Sequence, residues 1–242
     1  LIRQLKTATF RQHIRATTAQ TAYIVGDPLV SAPYQQLSGA RDEARLVAGL
    51  LSTRFEPTYR DEQLSALEVL GGLFEKPYRL IHLAGHGYYE APGGNGPARS
   101  GMVLDNGVYL TAVEIGQMQQ VPELVFLNCC HIGQIGPEAP ARGATLPYNR
   151  LAASISRELI EMGVRAVVAA GWAVRDDAAL AFARVFYEQM LEGQSFGRAL
   201  QDARHRTWQQ FPDCNTWGAY QAYGDPDFRL DQAGAASGRS AS

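Results

Sequence analysis

A chain of 242 residues, 46% hydrophobic and 19% charged, can bury a full core and is too apolar and too weakly charged to be disordered. Its formal net charge of −2, without a block of Lys or Arg, gives no electrostatic footprint for nucleic acid or an anionic membrane. No apolar stretch approaches the roughly 18 residues that span a bilayer and no secretory h-region opens the chain, so a cytoplasmic protein with no membrane partner is expected.

The polar stretch 1–20 is expected to be a linker from a preceding region. The first strand is Thr21-Ala22-Tyr23-Ile24-Val25, stopped by the turn signal Gly26-Asp27-Pro28. Leu37, Ala40, Ala44, Val47, Ala48 and Leu51 recur at helical spacing and predict an amphipathic helix. A weak strand over 55–60 precedes a helix carrying Leu64, Leu67, Leu70 and Leu73, with Asp61 as candidate cap. The apolar run 78–85 then closes on His86-Gly87.

Residues 88–100, rich in Gly and Pro, are expected to form an exposed loop, and Asn106-Gly107 marks a hairpin between 102–104 and 108–110. A short helix from Thr111 leads to the run Glu123-Leu124-Val125-Phe126-Leu127-Asn128, which closes on Cys129-Cys130. A second long loop is expected over 131–149, a candidate activation segment with Arg142 as a possible cut site. A helix carrying Leu151, Ile155, Leu159 and Met162 and two more over 178–191 and 196–203 flank the strand Ala166-Val167-Val168-Ala169-Ala170, and a last run over 217–223 stops at Gly224-Asp225-Pro226. The Gly/Ala/Ser tail 231–242 reads as disordered. Strands alternating with helices imply an α/β fold with a mostly parallel sheet covered on both faces.

In such sheets chemistry collects at the strand carboxyl ends. A thiol at one end and an imidazole at another suit a nucleophile and its proton acceptor. Alternation puts Asn128 and Cys130 on one face, and Cys129 with Val125 and Leu127 on the other, so Cys130 is the candidate nucleophile and Cys129 a buried thiol. Gly87, without a side chain to obstruct a carbonyl, can offer its N–H with that of Cys130 as an oxyanion hole. Each residue also has a structural reading, since free cysteines are among the most buried residues and strand-end histidines are commonly satisfied core groups. His82, His86, Cys129, Cys130 and His131 are possible metal ligands, but strand geometry separates His82 from His86 by about 13 Å and no Cys-x-x-Cys or His-Glu-x-x-His occurs. No cofactor is expected, and nucleotide, dinucleotide and serine-hydrolase signatures are missing.

The ordered pair Leu83-Ala84-Gly85-His86-Gly87 and Leu124-Val125-Phe126-Leu127-Asn128-Cys129-Cys130-His131-Ile132-Gly133 resembles the caspase-like cysteine peptidases and, within them, the CHAT domain. Order and spacing, His then Cys 44 residues later, are similar to the caspase signature. The 162–174 stretch and the closing Tyr223-Gly224-Asp225-Pro226 also look like landmarks of that family, so the resemblance covers 21–230. It implies a caspase-like three-layer sandwich, a His86–Cys130 dyad and hydrolysis of a protein substrate. It further implies an effector domain behind an N-terminal sensor or regulatory region, in bacterial antiviral settings that include CRISPR-associated systems. The rival from another class is a catalytically silent caspase-like scaffold for protein interaction.

Two departures bear on specificity. Related metacaspases carry an aspartate two residues before the nucleophile, where this chain has neutral Asn128. Trp172 with Asp176 and Asp177 are the remaining candidates for a substrate pocket, the carboxylates suited to a basic side chain. The same aspartates equally suit the start of the helix that follows. His131 stands where many CHAT domains have an acidic residue.

Overall fold

The computed structural model describes residues 2–3, 17, 19–90, 99–129 and 148–230. In chain order its elements are β1 (Ile2–Arg3), β2 (Thr21–Gly26), α1 (Ser38–Leu51), β3 (Glu56–Thr58), α2 (Ala66–Glu75), β4 (Leu80–Ala84), β5 (Gly87–Glu90), β6 (Arg99–Val103), β7 (Tyr109–Thr111), α3 (Ala112–Gly116), β8 (Leu124–Asn128), α4 (Tyr148–Met162), β9 (Ala166–Ala170), α5 (Asp176–Leu191), α6 (Phe196–Gln210), α7 (Thr216–Ala219) and β10 (Tyr220–Gly224).

The apolar runs assemble into one seven-stranded sheet of order β1-β10-β9-β8-β4-β2-β3. The five strands from β9 to β3 are mutually parallel, and β10 is antiparallel to β9. Because side chains alternate across a strand, the sheet divides its apolar residues into two cores. Ile24, Leu80, Phe126 and Val168 face α1, α5 and α6. Val25, Ile81, Leu83, Val125, Leu127 and Val167 face α2, α3, α4 and the small β5-β6-β7 sheet. Phe126, fully buried, touches the rings of His82, Phe182, Phe186, Tyr187 and Tyr220, and ties the helical layer to the sheet.

Several sequence expectations are corrected. The N-cap of α2 is Ser65, not Asp61: Ser65 and Glu68 form a reciprocal capping box, while Asp61 bonds Arg45 and Tyr59. The expected loop 88–100 is narrower, because Gly87–Glu90 and Arg99–Val103 pair as antiparallel strands; residues 91–98 lie outside the described residues. Within the stretch expected to be a linker, Ile2 and Arg3 pair in parallel with Ala222 and Tyr223. Tyr148 and Asn149, placed in the second loop, begin α4; the rest of that loop, with His131 and Arg142, and the 231–242 tail lie outside the described residues. The Asn106-Gly107 hairpin forms as expected, with both residues at positive φ (53° and 72°) and β6 paired to β7.

The register fixes where strands end. Gly26 pairs with Ala84, and Ala84 with Asn128, so β2, β4 and β8 stop at one level and open onto one surface.

Candidate functional site

His86 sits two residues beyond the end of β4, at the junction where the chain leaves the large sheet for the small one. Gly85 N–H donates to the Asn128 carbonyl (3.1 Å), and the His86 carbonyl accepts from Val103 N–H (2.9 Å), so its backbone is held by both sheets. The residue is 3% exposed. Its Nε2 lies 2.5 Å from the Gln35 carbonyl oxygen. A carbonyl only accepts, so Nε2 carries the proton and the lone pair of the neutral ring falls on Nδ1. The Tyr34 ring packs against the imidazole at 5.1 Å between centroids.

Gln35 belongs to the segment between β2 and α1, and Asp27 holds that segment. Buried at the end of β2, with φ 51°, Asp27 accepts from Leu37 N–H (2.6 Å) and Gln36 Nε2 (2.8 Å) through Oδ1, and from Arg41 Nη2 (2.7 Å) through Oδ2. Its carboxylate thus sits at the start of α1, where exposed N–H groups favour negative charge, and holds the two residues that follow Gln35.

On β8 the alternation expected from the sequence holds. Cys129 is buried in the core with Val125 and Leu127, its Sγ 3.6 Å from the Leu83 carbonyl. Asn128 faces the other layer. Cys130 lies outside the described residues. Gly87 pairs with Met102, and because Val103 N–H bonds the His86 carbonyl, Gly87 and Met102 form a non-hydrogen-bonded pair. The Gly87 N–H therefore points away from β6, on the open side of edge strand β5.

Beside these strand ends lies a narrow slot lined by Leu37, Gly39, Ala40, Glu43, Asn128, Val174, Asp176 and Ala179, with Gly85. Asn128 Nδ2 donates to Glu43 Oε2 at 2.6 Å. Glu43 is 1% exposed, on the buried face of α1, and its Oε1 lies 3.3 Å from Nε2 of fully buried His82 without the alignment of a hydrogen bond. His82 Nδ1 is 3.0 Å from the Tyr187 hydroxyl. Burial first, and then the Glu43 charge, push the Tyr187 hydroxyl well above its usual range.

Asp176 is exposed and lies against Gly39, where a Cβ would come within 2.3 Å of its Cγ. The other two pocket candidates are elsewhere. Asp177 pairs with Arg175 Nε (2.7 Å) and accepts from Ala178 N–H, so it serves the start of α5 rather than the slot. Trp172 packs on Gly218, with its buried indole N–H lacking a partner among the described residues. The sequence did not single out Gln35, Asp27 or Glu43. The first acts through its backbone and leaves no signal; Asp27 was legible only as a turn residue; Glu43 had a signal, a carboxylate at a buried position of an apolar stripe.

A mainly parallel sheet with helices on both faces, whose strand ends carry this histidine, defines a caspase-like α/β fold, and solved cysteine proteinases share it. The Arg-specific cysteine proteinase gingipain R (RgpB) matches with a TM-score of 0.56 and 13% identity, over 90% of this chain and 50% of that one. The complex of Porphyromonas gingivalis RgpB pro- and mature domains gives 0.54 and 14%, over 90% and 51%. A structure described only as a protease gives 0.53 and 10%, over 89% and 49%. The chain thus spans about half the length of each. Among curated proteins, no sequence matches this chain. The CHAT domain model matches residues 2–225, and the chain belongs to the CHAT domain family.

Proposed function

We propose that this chain is a cysteine endopeptidase domain in which His86 and Cys130 form the catalytic dyad. The observation that carries the reading is the register of β4 and β8. Ala84 and Asn128 are paired on neighbouring strands about 4.8 Å apart, and in the sequence His86 and Cys130 each follow them by two positions. The Gln35 carbonyl fixes Nε2–H, which leaves Nδ1 as the proton acceptor.

Nδ1 takes the Cys130 thiol proton, and the thiolate adds to the scissile carbonyl carbon. The N–H groups of Gly87 and Cys130 bind the resulting oxyanion. The intermediate collapses with cleavage of the C–N bond, and His86 returns the proton to the departing amine. Water, deprotonated by His86, then hydrolyses the thioester and frees the thiol. The slot that holds Asn128 and Asp176 receives the side chain before the cut; Trp172 and Asp177 are not assigned to it.

No cofactor takes part. The reading extends to a protein substrate and to a role as effector of a larger bacterial sensor or defence protein, CRISPR-linked or similar, in the cytoplasm, under an N-terminal regulatory region and without direct nucleic-acid contact by this segment, for which the net charge of −2 is the support.

The test is the pH dependence of alkylation at Cys130, located by peptide mass mapping. A thiolate held by His86 reacts well below pH 8.5, the range of a free thiol, and His86→Ala returns the midpoint to that range. An unchanged profile in His86→Ala contradicts the dyad and leaves the silent scaffold.

A further inference from the structure

Building on the endopeptidase reading, we infer that Glu43 is the charged floor of the substrate slot and that the slot selects a basic side chain, Lys or Arg, immediately before the cut. Glu43 is a carboxylate with nine-tenths or more of its surface buried, and it lines the slot next to Asn128. Oε2 receives the Asn128 amide, whereas Oε1 has no hydrogen-bond donor among the described residues.

No Lys or Arg lies within 4.0 Å of Glu43 among the described residues; its only charged-type neighbour at that distance is His82, which Tyr187 holds on the far side. The nearby cation Arg41 is engaged by Asp27. A buried carboxylate with an unfilled acceptor and no Lys or Arg partner is costly unless a charged donor reaches it. A bound ammonium or guanidinium supplies both the charge and the hydrogen bond.

The dimensions suit such a ligand. Gly39 and Asp176 stand at the mouth, and Glu43 lies one helical turn below Gly39 on α1, so the slot is about 6 Å deep. That is about the reach of an extended Lys or Arg side chain. Gly39, Ala40, Gly85 and Ala179 keep the walls close to backbone, leaving room for a methylene stem. With Asp176 resting on Gly39 the cavity measures about 20 Å³, so entry requires Asp176 to swing outward. Asp176 is exposed, and a rotamer change there disturbs no packed core. Once swung, it adds a second carboxylate at the rim. The neutral Asn128 thus acts by orienting Glu43, and the charge comes from the neighbouring helix.

Two measurements on the full chain test this. The first compares kcat/KM for peptides that differ only in Lys, Arg, Leu, Met or Asp before the scissile bond, in wild type and Glu43→Gln. The expectation is a preference of about 100-fold for Lys or Arg over Leu and Met, which falls below about 5-fold in Glu43→Gln. A urea unfolding midpoint close to that of wild type shows that the variant is folded. Asp176→Asn, at the exposed rim, should lower the Lys and Arg rates about 3- to 10-fold.

The second measures binding of the Arg and Leu peptides to Cys130→Ala by calorimetry, with and without Glu43→Gln, which reads the slot without chemistry. Arg-selective binding without cleavage by wild type supports the slot and contradicts the peptidase. Cleavage that prefers Leu, Met or Asp, or a basic preference unmoved by Glu43→Gln, overturns the slot and leaves the peptidase intact.

Discussion

Replacing Asp27 tests how the strand end controls His86. Its carboxylate accepts from Leu37 N–H, Gln36 Nε2 and Arg41 Nη2 at 2.6 to 2.8 Å, and these bonds hold the segment that presents the Gln35 carbonyl to His86. A hydrogen bond to a charged group is worth about 1.5–3 kcal/mol, but the three are not additive and Arg41, 31% exposed, regains water when released. Asp27→Asn keeps an acceptor for Leu37 and tolerates the left-handed φ of 51°, so it should destabilise by about 2 kcal/mol. Asp27→Ala loses every bond and adds roughly 1 kcal/mol of backbone strain, for about 4 kcal/mol. Urea unfolding reads both values. Long-range ¹⁵N–¹H correlation spectra of the imidazole should show the Nε2–H tautomer of His86 in wild type and a tautomer mixture in Asp27→Asn. A displacement of about 1 Å at a reacting group can lower a rate about 100-fold, and Cys130-dependent turnover should fall on that order. An Asp27→Asn protein within about 0.5 kcal/mol of wild type, with an unchanged His86 spectrum, refutes the clamp.

Two further expectations concern the scaffold. Burial pushes the Tyr23 hydroxyl, which donates to the Val69 carbonyl at 2.6 Å, well above its ordinary 10.0. Its stability contribution is therefore complete below pH 10 and lost as pH rises from there, because the unfolded tyrosine ionises first. Tyr23→Phe should be weaker than wild type by about 1 kcal/mol at pH 7, with the gap closing above pH 10; a gap constant to pH 11 contradicts the assignment. Ser65→Ala should cost about 1 kcal/mol by removing the α2 cap, whereas Asp61→Ala, which loses only exposed bonds to Arg45 and Tyr59, should cost about 0.5 kcal/mol or less. The reverse order would return the cap to Asp61.

Much of this architecture was legible in the residues because it rests on local periodicity. Buried parallel strands read as apolar runs, Asn106-Gly107 names its own turn, and two-residue alternation alone separates Asn128 from Cys129. What was not legible depends on contacts distant in sequence. Ser65 and Asp61 are both good caps, and only Glu68, three residues after Ser65, decides between them. Tyr88 and Tyr89 are ordinary strand residues, but the neighbouring breakers hid their pairing with β6. Asp176 and Asp177 are chemically identical and adjacent, and Arg175 draws only one of them away from the slot. Glu43 meets Asn128 across 85 positions, a contact no local pattern encodes.

The most direct test of the central claim incubates the full-length protein with proteins encoded beside it, with and without candidate activators, and compares wild type with Cys130→Ala and His86→Ala by intact-mass spectrometry. The account predicts a new cleavage product in wild type that both variants abolish. A product that persists in Cys130→Ala, or no cleavage under any activator while the variants match wild type, would contradict it.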